Sequence, residues 1–305
     1  SASRLPGWEQ WGCLPPAPPW LPPFRTGMPL TVASGEAILD KNGKFEVEID
    51  TSATLKLFGP VDSKYRITAE LTDKSRRMIE SEAEVIVSAK PFYVYCWPNR
   101  GFFTAGDSIR FQVMARTSDG MPVDCTGEAK LYLISYDKNG KAEEQPLATF
   151  GLEKSGKENF VKFKVDKPGQ YRFSCTMTDA GKQIVQGGYV FMVLGDAKKT
   201  DEYRFNPLEL ICDRQEYRPG DSVNLLINAD RPNASVVLLV RSGQNTVPEV
   251  ITLTGQSTVK EIKVETHDIP NFFIEGYTVA DGKIHQAVTQ VIVPPEKKIL
   301  KLNIL

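Results

Sequence analysis

No apolar run in this sequence approaches the roughly 18–20 residues needed to span a bilayer, and no basic-then-apolar leader opens it. The chain therefore reads either as cytoplasmic or as a piece of a longer protein whose leader lies upstream. Charge of one sign is also missing: 37 Lys and Arg stand against 38 Asp and Glu, a net charge of −1. Neutralising a run of phosphates takes a basic face, so the balance argues against a nucleic-acid partner. Histidine is scarce, with His267 and His285 alone, and neither has a cysteine or carboxylate cluster at ligand spacing beside it. Cys13, Cys96, Cys125, Cys175 and Cys212 form an odd, widely spaced set without a CxxC pair. At least one of them is unpaired within the chain, and both the pairing of the rest and the redox compartment stay open. A Gly-rich phosphate loop is lacking, as are paired carboxylates on a defined scaffold. The sequence thus offers no catalytic residue, no metal ligands and no cofactor site.

Long stretches of 3.6-residue periodicity are rare as well. What is present is runs of Val, Ile, Phe, Tyr and Thr cut by Asn-Gly, Asp-Gly and Pro-Gly turns, the pattern of an all-β chain. Apolar content of 41% and charged content of 25% fit ordinary globular domains. At about 100–150 residues per domain, 305 residues hold two or three.

An internal echo divides the chain. YRITAELTDKSRRMIESEAEVIVS from Tyr65, YRFSCTMTDAGKQIVQGGYVFMVL from Tyr171 and FIEGYTVADGKIHQAVTQVIVP from Phe273 share one plan. In each an aromatic precedes an aspartate by eight residues: Tyr65 and Asp73, Tyr171 and Asp179, Phe273 and Asp281. Strict alternation in the first two copies predicts a β-hairpin with one face on a core, the aspartate opening the turn. The third copy breaks alternation at Phe272, Phe273, Ile274, Glu275 and Gly276, which predicts a bulge near Gly276. A further strand precedes each hairpin: KFEVEID from Lys44, FVKFKVD from Phe160 and TVKEIKV from Thr258.

The full repeats also share an opening. CDRQEYRPGDSV, Cys212 to Val223, matches NRGFFTAGDSI, Asn99 to Ile109. Arg100, Phe103, Gly106 and Asp107 stand where Arg214, Tyr217, Gly220 and Asp221 stand later, with Pro219 present only in the second copy. Pro-Gly predicts a type II turn leading into a strand, and Phe103 and Tyr217 are placed to close the end of a core. GDS also opens the motif of a serine hydrolase family. Ser108 and Ser222 would then each need a base, for which only His267 and His285 exist; a duplicated turn capped by Asp and Ser is the simpler reading. Asp40-Lys41-Asn42-Gly43 and Asp137-Lys138-Asn139-Gly140 start like calcium loops but lack the distal glutamate, and read as hairpin turns. Asn233-Ala234-Ser235 is a glycosylation triplet of the kind that arises often by chance.

These observations divide the chain into a Pro- and Trp-rich linker or stump at 1–27, the closing strands of an incomplete domain at 28–89, complete domains at 90–198 and 199–297, and the start of a further domain at 298–305. The chain is expected to continue past Leu305.

The two openings, the stretch DGMPVDCTGEAKLYL after the first of them, and the Tyr65 closer resemble the macroglobulin domains of the alpha-2-macroglobulin family, in its bacterial-type branch. The resemblance runs from Met28 to Leu305 and rests on the order and spacing of the motifs. It implies tandem fibronectin- or Ig-like antiparallel β-sandwiches, here similar to the end of a third, all of a fourth and fifth, and the start of a sixth macroglobulin domain. It also implies an extracytoplasmic protease trap, periplasmic, secreted or membrane-anchored, in which a bait segment is cut and a Cys-x-x-Gln thioester captures the attacker. The thioester motif C-x-E-Q is not in this sequence, since Glu9-Gln10 precedes Cys13. The implied role is a non-catalytic scaffold, with other macroglobulin domains and target endopeptidases as partners and no cofactor. A tandem Ig-like adhesion module would share the architecture but carry a ligand patch in one domain's loops.

Overall fold

Where a β-branched or aromatic run has a complementary run to pair with, it forms a strand; one such run has no partner among the described residues and forms none. The computed structural model describes residues 31–59, 62–72, 75–138, 141–155, 159–195, 203–242 and 245–295. Cys13, Asp73, Asn139, Gly140 and the segments 1–27 and 298–305 lie outside the described residues. The described residues fall into two compact units, one of 31–93 with 116–122, the other of 94–115 with the chain from 123 onward. Among them, no helix is long and apolar enough to cross a membrane.

The smaller unit carries α1 (Ser52–Phe58) and one hairpin, β1 (Ser63–Thr72) with β2 (Met78–Val87). The register pairs Tyr65 with Val85, Ile67 with Ala83 and Leu71 with Ile79, so the apolar side chains share one face as the alternation predicts. That face is not on a core: Ile67, Leu71, Ile79 and Val85 are exposed. Tyr65 is half-buried and donates its hydroxyl to Thr54 Oγ1 at 2.8 Å. The strand expected at Lys44–Asp50 does not form, and Phe45 and Val47 are exposed. A lone extended segment leaves its N–H and C=O groups to water, and among the described residues no strand pairs with this one to take them. Asp40 does make the expected turn, its Oδ1 accepting the N–H groups of Asn42 and Lys44 at 2.8 Å each.

Two sandwiches follow. The first packs β3 (Tyr93–Pro98), β5 (Ser108–Arg116) and β8 (Asn159–Lys164) against a sheet of order β4-β10-β9-β6-β7, namely β4 (Phe103–Thr104), β10 (Ile184–Leu194), β9 (Gly169–Asp179), β6 (Cys125–Tyr136) and β7 (Ala142–Ser155). The second repeats the plan with β11 (Glu209–Cys212), β12 (Ser222–Asn228) and β15 (Ser257–Lys263) facing β14 (Asn245–Thr252), β13 (Ser235–Ser242), β16 (Asn271–Ala280) and β17 (Lys283–Ile292). The expected strands at Phe160 and Thr258 are β8 and β15, each laddered to the strand after the opening motif.

The first core is aromatic. Phe111 stacks on Phe173 at 4.2 Å between centroids, and Phe163 and Phe191 surround the pair. The second core is aliphatic, built on Val223, Leu225, Ile227, Leu238, Ile274 and Val291 with Phe272. Each such side chain contributes roughly 1.5–3 kcal/mol by burial.

The hairpins at Tyr171 and Phe273 differ in their turns, and this corrects the alignment. Asp179 ends its strand, with its N–H donating to Gln183 O at 3.1 Å and its Oδ1 accepting Gln183 N at 2.8 Å. Tyr171 faces the core and donates its hydroxyl to Lys167 O at 2.5 Å; burial pushes its phenol up to about 12. Asp281 instead sits within a two-residue turn at φ +49°, followed by Gly282 at φ +70°, because Ala280 pairs directly with Lys283. Counting back from the aspartate therefore lands one residue late: Phe272 is buried and Phe273 is exposed. No bulge occurs at Gly276; β16 pairs without a register shift on both sides. Gly276 takes a core-facing position where Leu208 and Leu210 press close, 3.2 and 3.3 Å from where a Cβ would sit.

Candidate functional site: the two opening clusters

In each sandwich the residues of the opening motif come together where the chain leaves its first strand and turns into the second. In the second sandwich Asp221 N donates to Arg218 O at 2.9 Å, closing a turn with Pro219 and Gly220 at its centre. Gly220 has φ +97°, a conformation that costs a side chain but not glycine. Asp221 Oδ2 accepts from Arg218 N at 3.0 Å and from Arg214 Nη1 at 3.2 Å. The Arg218 N–H first, and the Arg214 charge after it, hold this carboxyl below its ordinary 3.8.

Beneath that turn lies Tyr217, fully buried, with the Arg214 guanidinium carbon 4.6 Å from its ring centroid. Its hydroxyl donates to Asp213 Oδ1 at 2.7 Å and accepts from Arg214 N at 2.9 Å. Asp213, itself buried, also accepts from Asn224 N at 2.8 Å and from Asn224 Nδ2 at 3.3 Å. Burial above all pushes the Tyr217 phenol far above the usual tyrosine range, so it remains a donor.

The first sandwich rebuilds the same geometry with other chemistry. Asp107 N donates to Thr104 O at 3.0 Å, and Gly106 has φ +86°. Asp107 Oδ2 accepts from Thr104 N at 2.9 Å and from Arg100 Nη1 at 3.2 Å. Gly106 N and Gly220 N donate to Val165 O and Val264 O at 2.9 and 2.8 Å, tying each turn to its sheet. Asn99 stands in place of Asp213 and Phe103 in place of Tyr217, so the acid and the hydroxyl disappear together. Phe103 closes the core edge-on to Phe191 at 5.8 Å.

Ser222 does not cap the turn. Its hydroxyl donates to Glu261 Oε1 at 2.6 Å across the sheet. Ser108 is exposed at the start of β5, opposite Lys164. His267 lies in a short 3-10 turn (Thr266–Asp268), its Nδ1 3.2 Å from Glu265 Oε2, and His285 pairs with Thr278 in β17. Cys125, Cys175 and Cys212 are free thiols, and burial raises those of Cys125 and Cys212 to about 11. Among the described residues no group of His, Cys, Asp and Glu could hold a metal. What the opening clusters do is architectural: they fix the entry of the second strand and seal one end of each core.

Sequence reasoning passed over Asp213 and Leu226. Asp213 is the acid that organises Tyr217, and its signal was its place beside Arg214. Leu226 is buried on the outer face of β12, and its signal was Leu225-Leu226-Ile227, three apolar residues running where a half-buried strand would alternate.

No family model matches the chain, and no curated protein matches it. Among solved structures, the chain matches the native conformation of Escherichia coli alpha-2-macroglobulin at 16% identity and TM-score 0.25, over 84% of this chain and 18% of that one. The trypsin-activated form of alpha-2-macroglobulin from Escherichia coli matches at 19% identity and TM-score 0.27, over 78% of this chain and 17% of that one. Salmonella alpha-2-macroglobulin reacted with methylamine matches at 15% identity and TM-score 0.25, over 76% and 17%. The chain spans less than a fifth of each of these proteins. Along most of its length, the chain is similar to bacterial alpha-2-macroglobulins.

Proposed function

We propose that this chain is a non-catalytic scaffold stretch of an alpha-2-macroglobulin-like endopeptidase trap, acting outside the cytoplasm. The observation that carries the reading is the repeated opening cluster. Arg100 with Asp107 and Arg214 with Asp221 close identical turns at 3.2 Å in two consecutive sandwiches, on the motifs that resemble tandem macroglobulin domains. In this reading residues 90–198 and 199–297 are two complete macroglobulin domains, fourth-like and fifth-like, and 28–89 is the closing part of a third-like one. The partners are neighbouring macroglobulin domains and, through the whole protein, target endopeptidases; neither nucleic acid nor a cofactor takes part. The role is mechanical, holding bait and capture modules in place while the chemistry occurs elsewhere.

The test uses the longest natural polypeptide that contains this sequence, mixed with trypsin and fractionated by size. A trap retains the protease in a complex that still cleaves small peptides but spares large proteins. Free trypsin, active on large proteins, overturns the reading and leaves the tandem adhesion module. Methylamine then separates the two kinds of trap: uptake of one amine with release of one thiol marks a thioester.

A further inference from the structure

We propose that the seam between the two sandwiches is a self-sufficient interface that makes them one rigid body, so that this step in the chain is not a hinge. The inference stands whether or not the protein is a protease trap.

The seam is apolar and closed from three directions. Leu226, on the outer face of β12, is fully buried with Ile211 packed beside it. From the first sandwich, Phe102 reaches it out of the opening loop and Met192 out of the last strand; from the connecting peptide, Tyr203 and Phe205 complete the cover. Phe102, Met192, Tyr203 and Phe205 are all under one-tenth exposed. Residues that merely joined two independent domains would face water.

The connecting peptide is also held by its backbone. Gln170 Nε2 donates to Arg204 O at 2.8 Å, and Gln170 Oε1 accepts from Arg204 N at 3.1 Å. One buried side-chain amide thus pairs with both backbone groups of one residue, as a neighbouring strand would. Tyr136 fixes that amide, donating to Gln170 Oε1 at 2.9 Å, and the Arg204 guanidinium lies 5.2 Å from the Tyr136 ring centroid. Tyr203 donates its hydroxyl to Val193 O at 3.2 Å.

Finally, the two backbones touch. Gly101 N donates to Asp213 O at 3.1 Å. A Cβ at Gly101 would fall 2.1 Å from Cys212 O and 2.8 Å from Ile211 Cγ2. Only glycine admits this approach, and a contact between main chains cannot yield by changing a rotamer. A hinge needs a few residues free to absorb changes in φ and ψ. Here the residues on both sides of the step are buried, hydrogen-bonded or pressed backbone to backbone.

The experiment inserts a specific protease site within residues 196–202, folds the chain, cuts it and fractionates it by size under native conditions. The expected result is that the two fragments elute together at the volume of the uncut chain. Separation into two folded fragments overturns the proposal. The same cut in a chain carrying Gly101→Leu and Gln170→Ala is expected to release the fragments, and co-elution there overturns the assignment of these residues. As a measurement free of any substitution, NMR relaxation on the intact chain is expected to give both sandwiches one rotational correlation time, whereas two distinct times overturn rigidity.

Discussion

Tyr217 donates its phenol to Asp213 Oδ1 at 2.7 Å, with both residues buried at the end of the second core. One domain earlier the corresponding residues are Phe103 and Asn99, and neither the charge nor the hydroxyl is present. The two sandwiches are thus natural versions of a double substitution. Tyr217→Phe alone leaves Arg214 N without its acceptor and Asp213 without one donor, at a cost of about 1–3 kcal/mol. Adding Asp213→Asn recreates the pair of the first sandwich, and the double variant should lose less than the sum of the singles by about 1 kcal/mol. Urea unfolding of the four proteins measures this coupling; strict additivity would show that the two groups act independently.

Asp221 gives a prediction with the opposite chemical accent. Its carboxyl is held below 3.8 in the folded chain. The folded state therefore favours its ionised form, a stabilisation fully present above 3.8 and lost as pH falls through the depressed value. Asp221→Asn should lower the melting temperature at neutral pH, and variant and parent should converge in strong acid. A difference that persists unchanged in acid would assign the effect to shape and not to charge.

Glu209 runs the other way. It is buried beside the connecting peptide, where its Oε1 accepts from Asn206 N and Nδ2 at 2.9 and 2.8 Å and its Oε2 from Asn228 Nδ2 at 3.2 Å. Burial outweighs these bonds and raises its carboxyl above 4.5. The folded chain binds this proton more tightly than the unfolded chain does, so stability falls as pH rises from 4.5 to the raised value. Glu209→Gln should remove that slope from the melting profile while leaving the acid limb set by Asp221.

Phe111→Ala removes the ring around which Phe163, Phe173 and Phe191 gather. A buried aromatic cut to alanine costs about 3–5 kcal/mol. Because the seam joins the sandwiches, calorimetry should show the transition of the second sandwich shifting with that of the first. A second transition left at its original temperature would mean that the two cores melt separately.

Much of the architecture can be read from alternation and turn chemistry. The hairpins and both opening turns follow from Asp, Gly and Pro at positions whose backbone demands them. Some readings fail for identifiable reasons. Lys44–Asp50 alternates like a strand, but a strand is a property of a pair, and this segment has no partner among the described residues. Phe273 is exposed because the two-residue turn at Asp281 is out of step by one residue with the longer turn after Asp179, and a shift of one residue exchanges the faces of a strand; the bulge expected at Gly276 is absent because the glycine takes a core-facing place in an unshifted strand. The seam lay beyond pattern reasoning about single domains, since its contacts depend on how two sandwiches meet. Its trace was the unbroken run Leu225-Leu226-Ile227, a strand with no side left for water.

The cysteines supply a clock for motion in this molecule. Cys125 and Cys175 lie within the first sandwich with almost no exposure, while the Cys212 side chain packs against the core of the second. With their thiols free and those of Cys125 and Cys212 at about 11, alkylation at neutral pH must wait for the protein to open. Pulse labelling followed by mass analysis of these cysteine peptides would time two events separately, the opening of the first core and the opening of the second.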